Sequence, residues 1–235
     1  MSSVRRSAAS SLAFGILALL AAAPGARGAP APVELPAAGQ LAWPRVAVRA
    51  APDASARRLT VLGEFLPDYR RRVVLALQVV TDAEGNAAWY RVSLPGRPNG
   101  RSGWVAAASV SLTPVHREIV VRRGARVLEL RDRGRLVLRT RVAVGAPKME
   151  TPLGTFYVTG AFTPTDPFLG VYAFSTSGYA PLSDWPGGGV VGIHGTSMPW
   201  LLGRAVSHGC IRVANSAMLV LKRFVRLGTP VRVVR

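Results

Sequence analysis

HGTSMPWLLGRAVSHGCIR, residues 194–212, holds two of the chain's three histidines, His194 and His208, and its only cysteine, Cys210. A thiolate is the nucleophile in cysteine chemistry, and a free thiol with a pKa of about 8.5 needs help to form one near neutral pH. An imidazole can take the proton and later return it to a leaving amine. Gly195 follows His194 and Gly209 precedes Cys210, so the backbone can turn sharply and approach a substrate closely at both points. The N–H groups of Gly209 and Cys210 are then candidates to hold a developing oxyanion. Two other readings stay open on these residues alone. A lone cysteine often behaves as a small buried hydrophobe. His194, His208 and Cys210 are also zinc-ligand types, although no clear fourth ligand accompanies them and His-x-Cys is not a usual structural-zinc spacing. The S-H-G-C run is polar and glycine-containing, with apolar residues resuming only at Ile211, which favours chemistry over plain burial.

Ser207-His208-Gly209-Cys210-Ile211-Arg212 resembles, at every position, the [ST]-H-G-C-[IVL]-[RN] signature of the YkuD family of L,D-transpeptidases. His194-Gly195, with 12 residues between His194 and Ser207, resembles the pair that precedes that signature. Thr151-Pro152-Leu153-Gly154 is similar to the family's T-P-x-G and Gly228-Thr229-Pro230-Val231 to its closing G-T-P-V, so the resemblance spans residues 117–235. One position departs: similar members often carry Asp where this chain has Ala217, a position read as structural.

The resemblance implies a peptidoglycan stem peptide as substrate. Cys210 would be acylated with loss of D-Ala, and an amine of a second stem would resolve the thioester to give a 3→3 cross-link. It implies His194 as general base and then acid, and the N–H groups of Gly209 and Cys210 as oxyanion donors. His208 would shape the loop or orient a catalytic group. Arg212 would bind a substrate carboxylate or form a salt bridge inside the fold. Gly195 would present its carbonyl to His194, with Ser207 and Thr196 in support. No metal or organic cofactor is implied, and covalent inhibition by carbapenem-type β-lactams is expected. The alternatives are an L,D-carboxypeptidase, in which water resolves the thioester, transfer of the stem to a wall-anchored protein, and a non-catalytic wall-binding protein.

The chain has 235 residues, enough for one large or two small domains, and a net charge of +18 carried almost wholly by arginine. Such a balance points to polyanionic surroundings: nucleic acid, a membrane surface or an acidic wall polymer. The basic residues are dispersed and have few aromatic neighbours on which bases could stack, which argues against nucleic acid. Residues 1–28 read as a secretory signal: Arg5 and Arg6, then a 12-residue apolar run at 12–23, then Ala26-Arg27-Gly28 before the cut. The run is short for a membrane span, so the mature chain is expected to be exported, to periplasm or cell wall, without stable membrane insertion, the alternative being an uncleaved N-terminal anchor that recruits flanking residues. A single cysteine suits that destination because it cannot mispair internally. Residues 29–40, with Pro30, Pro32 and Pro36, read as an extended linker.

Residues 41–113 show short β-type runs broken by turns. Strands are predicted at 42–50, 73–81, 87–94 and 110–112, with a hairpin turn at Asp82-Ala83-Glu84-Gly85-Asn86 and no useful helical period. The segment resembles the bacterial SH3-like modules of wall proteins through Val48-Arg49-Ala50-Ala51-Pro52, Trp89-Tyr90-Arg91-Val92 and Gly103-Trp104-Val105. Trp89 and Trp104 are more simply core residues than ligand contacts.

From residue 117 the pattern stays β-rich: 118–121, 126–132, an alternating run at 135–144 whose arginines would face solvent, 155–159, 171–174, 190–193 and 231–234. Residues 160–189 are rich in Pro, Gly, Ser and Thr, and part of them is expected to cover the site. Residues 215–226 are the best helix candidate. The expected protein is mainly β: a small SH3-like barrel, then a β-rich catalytic domain at 117–235 with one helix in its second half.

Overall fold

The structure, a computed structural model, describes residues 30–181 and 188–235. The predicted signal segment lies outside the described residues, as do the first linker residue and part of the predicted covering loop.

Seven strands form the first sheet: β1 (Ala37–Leu41), β2 (Arg45–Arg49), β3 (Arg58–Gly63), β4 (Val73–Thr81), β5 (Ala87–Ser93), β6 (Ser102–Ala106) and β7 (Val110–Pro114). Their spatial order is β3-β2-β6-β5-β4-β1-β7. Alternation explains β2, where Val46 and Val48 are buried between outward arginines. In β4 three consecutive residues, Val74, Leu75 and Ala76, are buried, which requires cover on both faces. Val74 and Ala76 join the core of this sheet, while Leu75 packs the other way with Ala38 and Tyr157 of the second half.

The second sheet holds β8 (Arg117–Arg122), β9 (Val127–Asp132), β10 (Arg135–Gly145), β11 (Gly154–Phe162), β12 (Ala173–Tyr179), β13 (Val190–His194), β14 (Ala205–Ser207), β15 (Ile211–Val213) and β16 (Pro230–Val234). The order runs β14-β10-β15-β13-β12-β11-β16-β8-β9, and β9 pairs with β10, so the sheet closes on itself like a barrel. The long strand β10 makes closure possible by changing partners: residues 135–141 pair with β9, Val142 and Ala143 with β15, and Val144 and Gly145 with β14. The single α-helix among the described residues, α1 (Asn215–Phe224), buries Met218 and Leu221 completely in the barrel core. Lys222 and Arg223 occupy its last turn, where cations favour the helix dipole.

Several segments differ from the sequence-based expectation. Residues 37–40, expected as linker, belong to β1, between β4 and β7. The strand is hidden in composition because small residues are what the site demands: a Cβ on Gly39 would overlap the carbonyl of Ser111 on β7. Strand β3 was not predicted, and β12 takes much of the segment expected to be irregular. The arginines of β8–β10 do more than face solvent. Arg122, Arg131 and Arg139 surround the buried carboxylate of Glu129 at 3.5, 2.7 and 3.6 Å.

Candidate active site

Strands β13 and β15 lie parallel, with Ile193 opposite Ile211 and His194 opposite Arg212. Side chains alternate along a strand. Ile193 and Ile211 therefore enter the core, both completely buried, while His194, Arg212 and Cys210 emerge on the other face. That face is the wall of a cleft of about 330 Å³ lined by Phe162, Asp166, Phe168, Leu169, Gly192, Ser207 and His208 as well as the three site residues. Two larger hollows, of about 450 and 380 Å³, lie where the two sheets meet and contain neither the thiol nor His194.

Gly192 sets the spacing within the site. Its N–H donates to Cys210 Sγ at 3.3 Å. The position a Cβ on Gly192 would take is 3.6 Å from Cys210 Sγ and 3.7 Å from His194 Cδ2. Thiol and imidazole thus both border one spot that the missing side chain of Gly192 leaves open. His194 Nδ1 lies 2.7 Å from the Gly195 carbonyl. A carbonyl can only accept, so Nδ1 carries the proton and Nε2 keeps its lone pair for base chemistry. Burial lowers the His194 pKa, with the positive charge of Arg212 adding to the effect and the Gly195 and Leu169 carbonyls opposing it. Burial likewise pushes the Cys210 thiol up, against the Gly192 N–H and Arg212, which lower it.

Local bonds hold the nucleophile turn. Ser207 Oγ donates to the Cys210 carbonyl at 2.6 Å and accepts from Gly209 N–H at 3.2 Å. One of the two N–H groups expected to face an oxyanion is therefore engaged by Ser207 in this structure. Gly209 has φ +111°, and a Cβ there would come within 2.5 Å of Ala180 Cβ, so glycine is required on both counts. Thr151, wholly buried, accepts Gly145 N–H at 3.0 Å and donates to the Gly209 carbonyl at 2.8 Å.

Arg212 sits at the cleft, 6% exposed, with its guanidinium 4.5 Å from the Phe168 ring centroid. Its Nε is buried without a hydrogen-bond partner, and among the described residues it forms no ion pair. The alternative of a salt bridge inside the fold is therefore not what the structure contains. His208 lines the cleft beside it. Thr196 does not line the cleft: its N–H goes to Asn215 Oδ1 at 3.1 Å and its hydroxyl accepts Met198 N–H at 3.0 Å. Asn215 also accepts from Val171 N–H, at 3.3 Å, and so ties the loop after His194 to the segment leading into β12. Among the described residues no three His, Cys, Asp or Glu side chains are grouped to hold a metal, so His194, His208 and Cys210 do not form the three-ligand zinc set weighed from sequence.

Gly192, Thr151, Asn215 and Phe168 are contributors that the motif reading did not single out for the site. A glycine inside an apolar strand (V-V-G-I-H) is a signal for close approach by another group. Thr151 was visible only as part of T-P-L-G, and its role needs the three-dimensional contact with Gly209.

Chemically, a thiol beside an imidazole with an available ring lone pair, in a partly apolar cleft with a buried cation, carries the groups that an acyl-transfer centre built on cysteine and histidine needs. The family model for the YkuD L,D-transpeptidase catalytic domain matches residues 116–233. YkuD of Bacillus subtilis, a candidate L,D-transpeptidase, is 33% identical over 162 residues, covering 63% of this chain and 91% of that protein. Its Bacillus licheniformis counterpart is 34% identical over 162 residues, covering 64% and 92%. Among solved structures, an L,D-transpeptidase from Mycobacterium smegmatis is similar at 17% identity and a TM-score of 0.45, covering 70% of this chain and 91% of that one. L,D-transpeptidase 3 from Mycobacterium tuberculosis, solved with a faropenem-derived adduct, is similar at 16% identity and a TM-score of 0.45, covering 70% and 91%. The chain belongs to the YkuD family of L,D-transpeptidases, which are cysteine-dependent acyltransferases.

Proposed function

We propose that this chain cross-links peptidoglycan, with Cys210 as nucleophile and His194 as its proton carrier. The observation that carries the reading is that the Cys210 thiol and the His194 imidazole both come within contact distance of the bare Gly192 position, on one face of neighbouring strands. Cys210 Sγ attacks the carbonyl carbon between the third stem residue and the terminal D-Ala, and its proton passes to His194 Nε2. The C–N bond breaks, the proton goes to the departing D-Ala amine, and a thioester remains on Cys210. An amine from a second stem then attacks the thioester and gives its proton to His194. The thiolate leaves, takes that proton back, and a 3→3 cross-link is formed. Negative charge on the carbonyl oxygen is met by the Cys210 N–H, joined by that of Gly209 if substrate displaces the Ser207 hydroxyl.

Arg212 binds a carboxylate of the donor stem. A buried cation with an unpartnered Nε lacks the anion that would offset its desolvation, and a substrate carboxylate supplies one. The first sheet is read as an SH3-like module that holds the enzyme on the wall or presents substrate to it. Residues 1–28 are read as the export signal that delivers the chain to periplasm or cell wall. Among the described residues no helix is long and apolar enough to cross a membrane, and the strongly positive net charge suits an acidic polymer matrix. Product analysis with purified tetrapeptide-stem substrate tests the reading. Cross-linked dimers and released D-Ala are expected. Free tripeptide with no dimer would mean that water is the acceptor and that the protein is an L,D-carboxypeptidase.

A further inference from the structure

The first half of the chain reaches into the catalytic half through the loop between β5 and β6. Strand β11 pairs with β12 only as far as Thr176, so the backbone of Tyr179 lies beyond that ladder. Asn99 takes both of its groups: Asn99 Nδ2 donates to the Tyr179 carbonyl at 2.8 Å, and Tyr179 N–H donates to Asn99 Oδ1 at 3.0 Å. Two residues earlier, Arg97 donates to the Ala180 carbonyl at 2.8 Å and to the Gly188 carbonyl at 3.0 Å. Its guanidinium also lies 4.9 Å from the Tyr179 ring centroid. One planar fork thereby spans the two arms of the β12–β13 connection at their neck, where Ala180 N–H bonds the Gly189 carbonyl at 2.8 Å.

That neck lies directly behind the nucleophile. Ala180 Cβ packs against Gly209 so closely that any side chain there would collide with it. One residue past the neck, the Val190 carbonyl is 3.9 Å from Cys210 Sγ, and Val190 lines the cleft. The same strand continues to Gly192 and His194. Displacement of the neck is therefore passed to the Gly209–Cys210 turn by hard contact, and interiors packed at this density transmit such strain.

We propose that Asn99 and Arg97 are positioning residues for Cys210, so that the first half of the chain is part of the catalytic apparatus as well as any wall-targeting module. The inference rests on the reading of Cys210 as the acylated nucleophile. It deepens that reading by making acylation depend on residues 80 or more positions upstream of the strand they hold.

The test uses the full chain with Asn99→Ala, Arg97→Ala and the double substitution. Asn99→Asp, which keeps the acceptor for Tyr179 N–H, serves as partial rescue, and Arg101→Ala in the same loop as control. Three quantities are read: the limiting rate and half-saturating concentration for Cys210 acylation by a carbapenem, the rate of Cys210 alkylation by iodoacetamide, and the melting midpoint. Asn99→Ala is expected to lower the limiting acylation rate about 10-fold or more, because small misplacements remote from the chemistry are costly. The half-saturating concentration should stay within about twofold and the melting midpoint within about 4 °C, the scale of one lost hydrogen-bonded pair in a chain of this size. Asn99→Asp should recover part of the rate, and Arg101→Ala should behave as wild type. Unchanged acylation in the double variant overturns the proposal. So does a loss of rate that vanishes once corrected for the folded fraction. If the wild type is not acylated at all, the proposed function fails separately. Alkylation still decides the positioning claim in that case: a changed rate in Asn99→Ala upholds it and an equal rate overturns it.

Discussion

Burial moves the two reacting groups in opposite directions on the pH scale and to the same end. It lowers the His194 pKa, which favours neutral imidazole, and raises that of Cys210, which favours neutral thiol. At neutral pH the resting pair is thiol and imidazole, and the proton moves when substrate arrives. A base with a lowered pKa stays unprotonated further into acid, so the acid limb of the acylation rate should lie below about 6.5, the unperturbed value. Thiolate formation read by iodoacetamide should have its midpoint above about 8.5. An alkylation midpoint at or below pH 7 would mean a preformed thiolate–imidazolium pair. Gly192 gives a second residue-level expectation. Its missing side chain leaves ordinary contact distances, 3.6 and 3.7 Å, to both reacting groups, so Gly192→Ala should fold with a near-native melting midpoint. The methyl would touch both thiol and imidazole where substrate must reach them, and acylation should slow by about 10-fold or more. A wild-type rate in that variant would show that the spot does not lie on the substrate's path.

Strands and turns place these residues, and Thr151 shows how. It links the loop after β10 to the nucleophile turn through two buried hydrogen bonds. Thr151→Val keeps the shape but strands both partners, at about 1–3 kcal/mol each. Melting should fall by several degrees and acylation should slow, while Thr151→Ser should restore both. A Thr151→Val protein that melts and reacts as wild type would remove Thr151 from the account. Elements with strong local periodicity were legible in the sequence. Strand β4 falls exactly on the predicted 73–81, β10 and β13 within a residue, and α1 starts at the predicted Asn215 and stops two residues short of the predicted 226. Strand β1 was illegible because small residues and prolines carry no period, and its burial comes wholly from neighbours distant in sequence. The short strands β14 and β15 are fixed by their pairing with β10 and β13. The signature named the thiol and both histidines. The contacts of Gly192, Thr151 and Asn99 join residues 18 to 80 positions apart, and no local pattern reports those.

At the scale of the molecule, the first sheet and the closed second sheet share a small apolar contact centred on Tyr157. Its ring is buried with Ala38 and Leu75, its hydroxyl donates to the Val73 carbonyl at 3.3 Å, and burial pushes its pKa well up. Removing the ring in Tyr157→Ala should cost about 3–5 kcal/mol. The two halves should then melt in separate calorimetric transitions. A single unshifted transition would mean that the Asn99 and Arg97 bonds to the β12–β13 connection hold the sheets together without Tyr157. Cys210 as an activated acyl acceptor is the centre of the proposed chemistry. The most direct test is the intact mass of the folded protein after incubation with a carbapenem, beside that of Cys210→Ala. A single covalent adduct on the wild type and none on the variant is the predicted result. A folded wild-type protein that gains no mass, or a variant that gains the same mass, would contradict it.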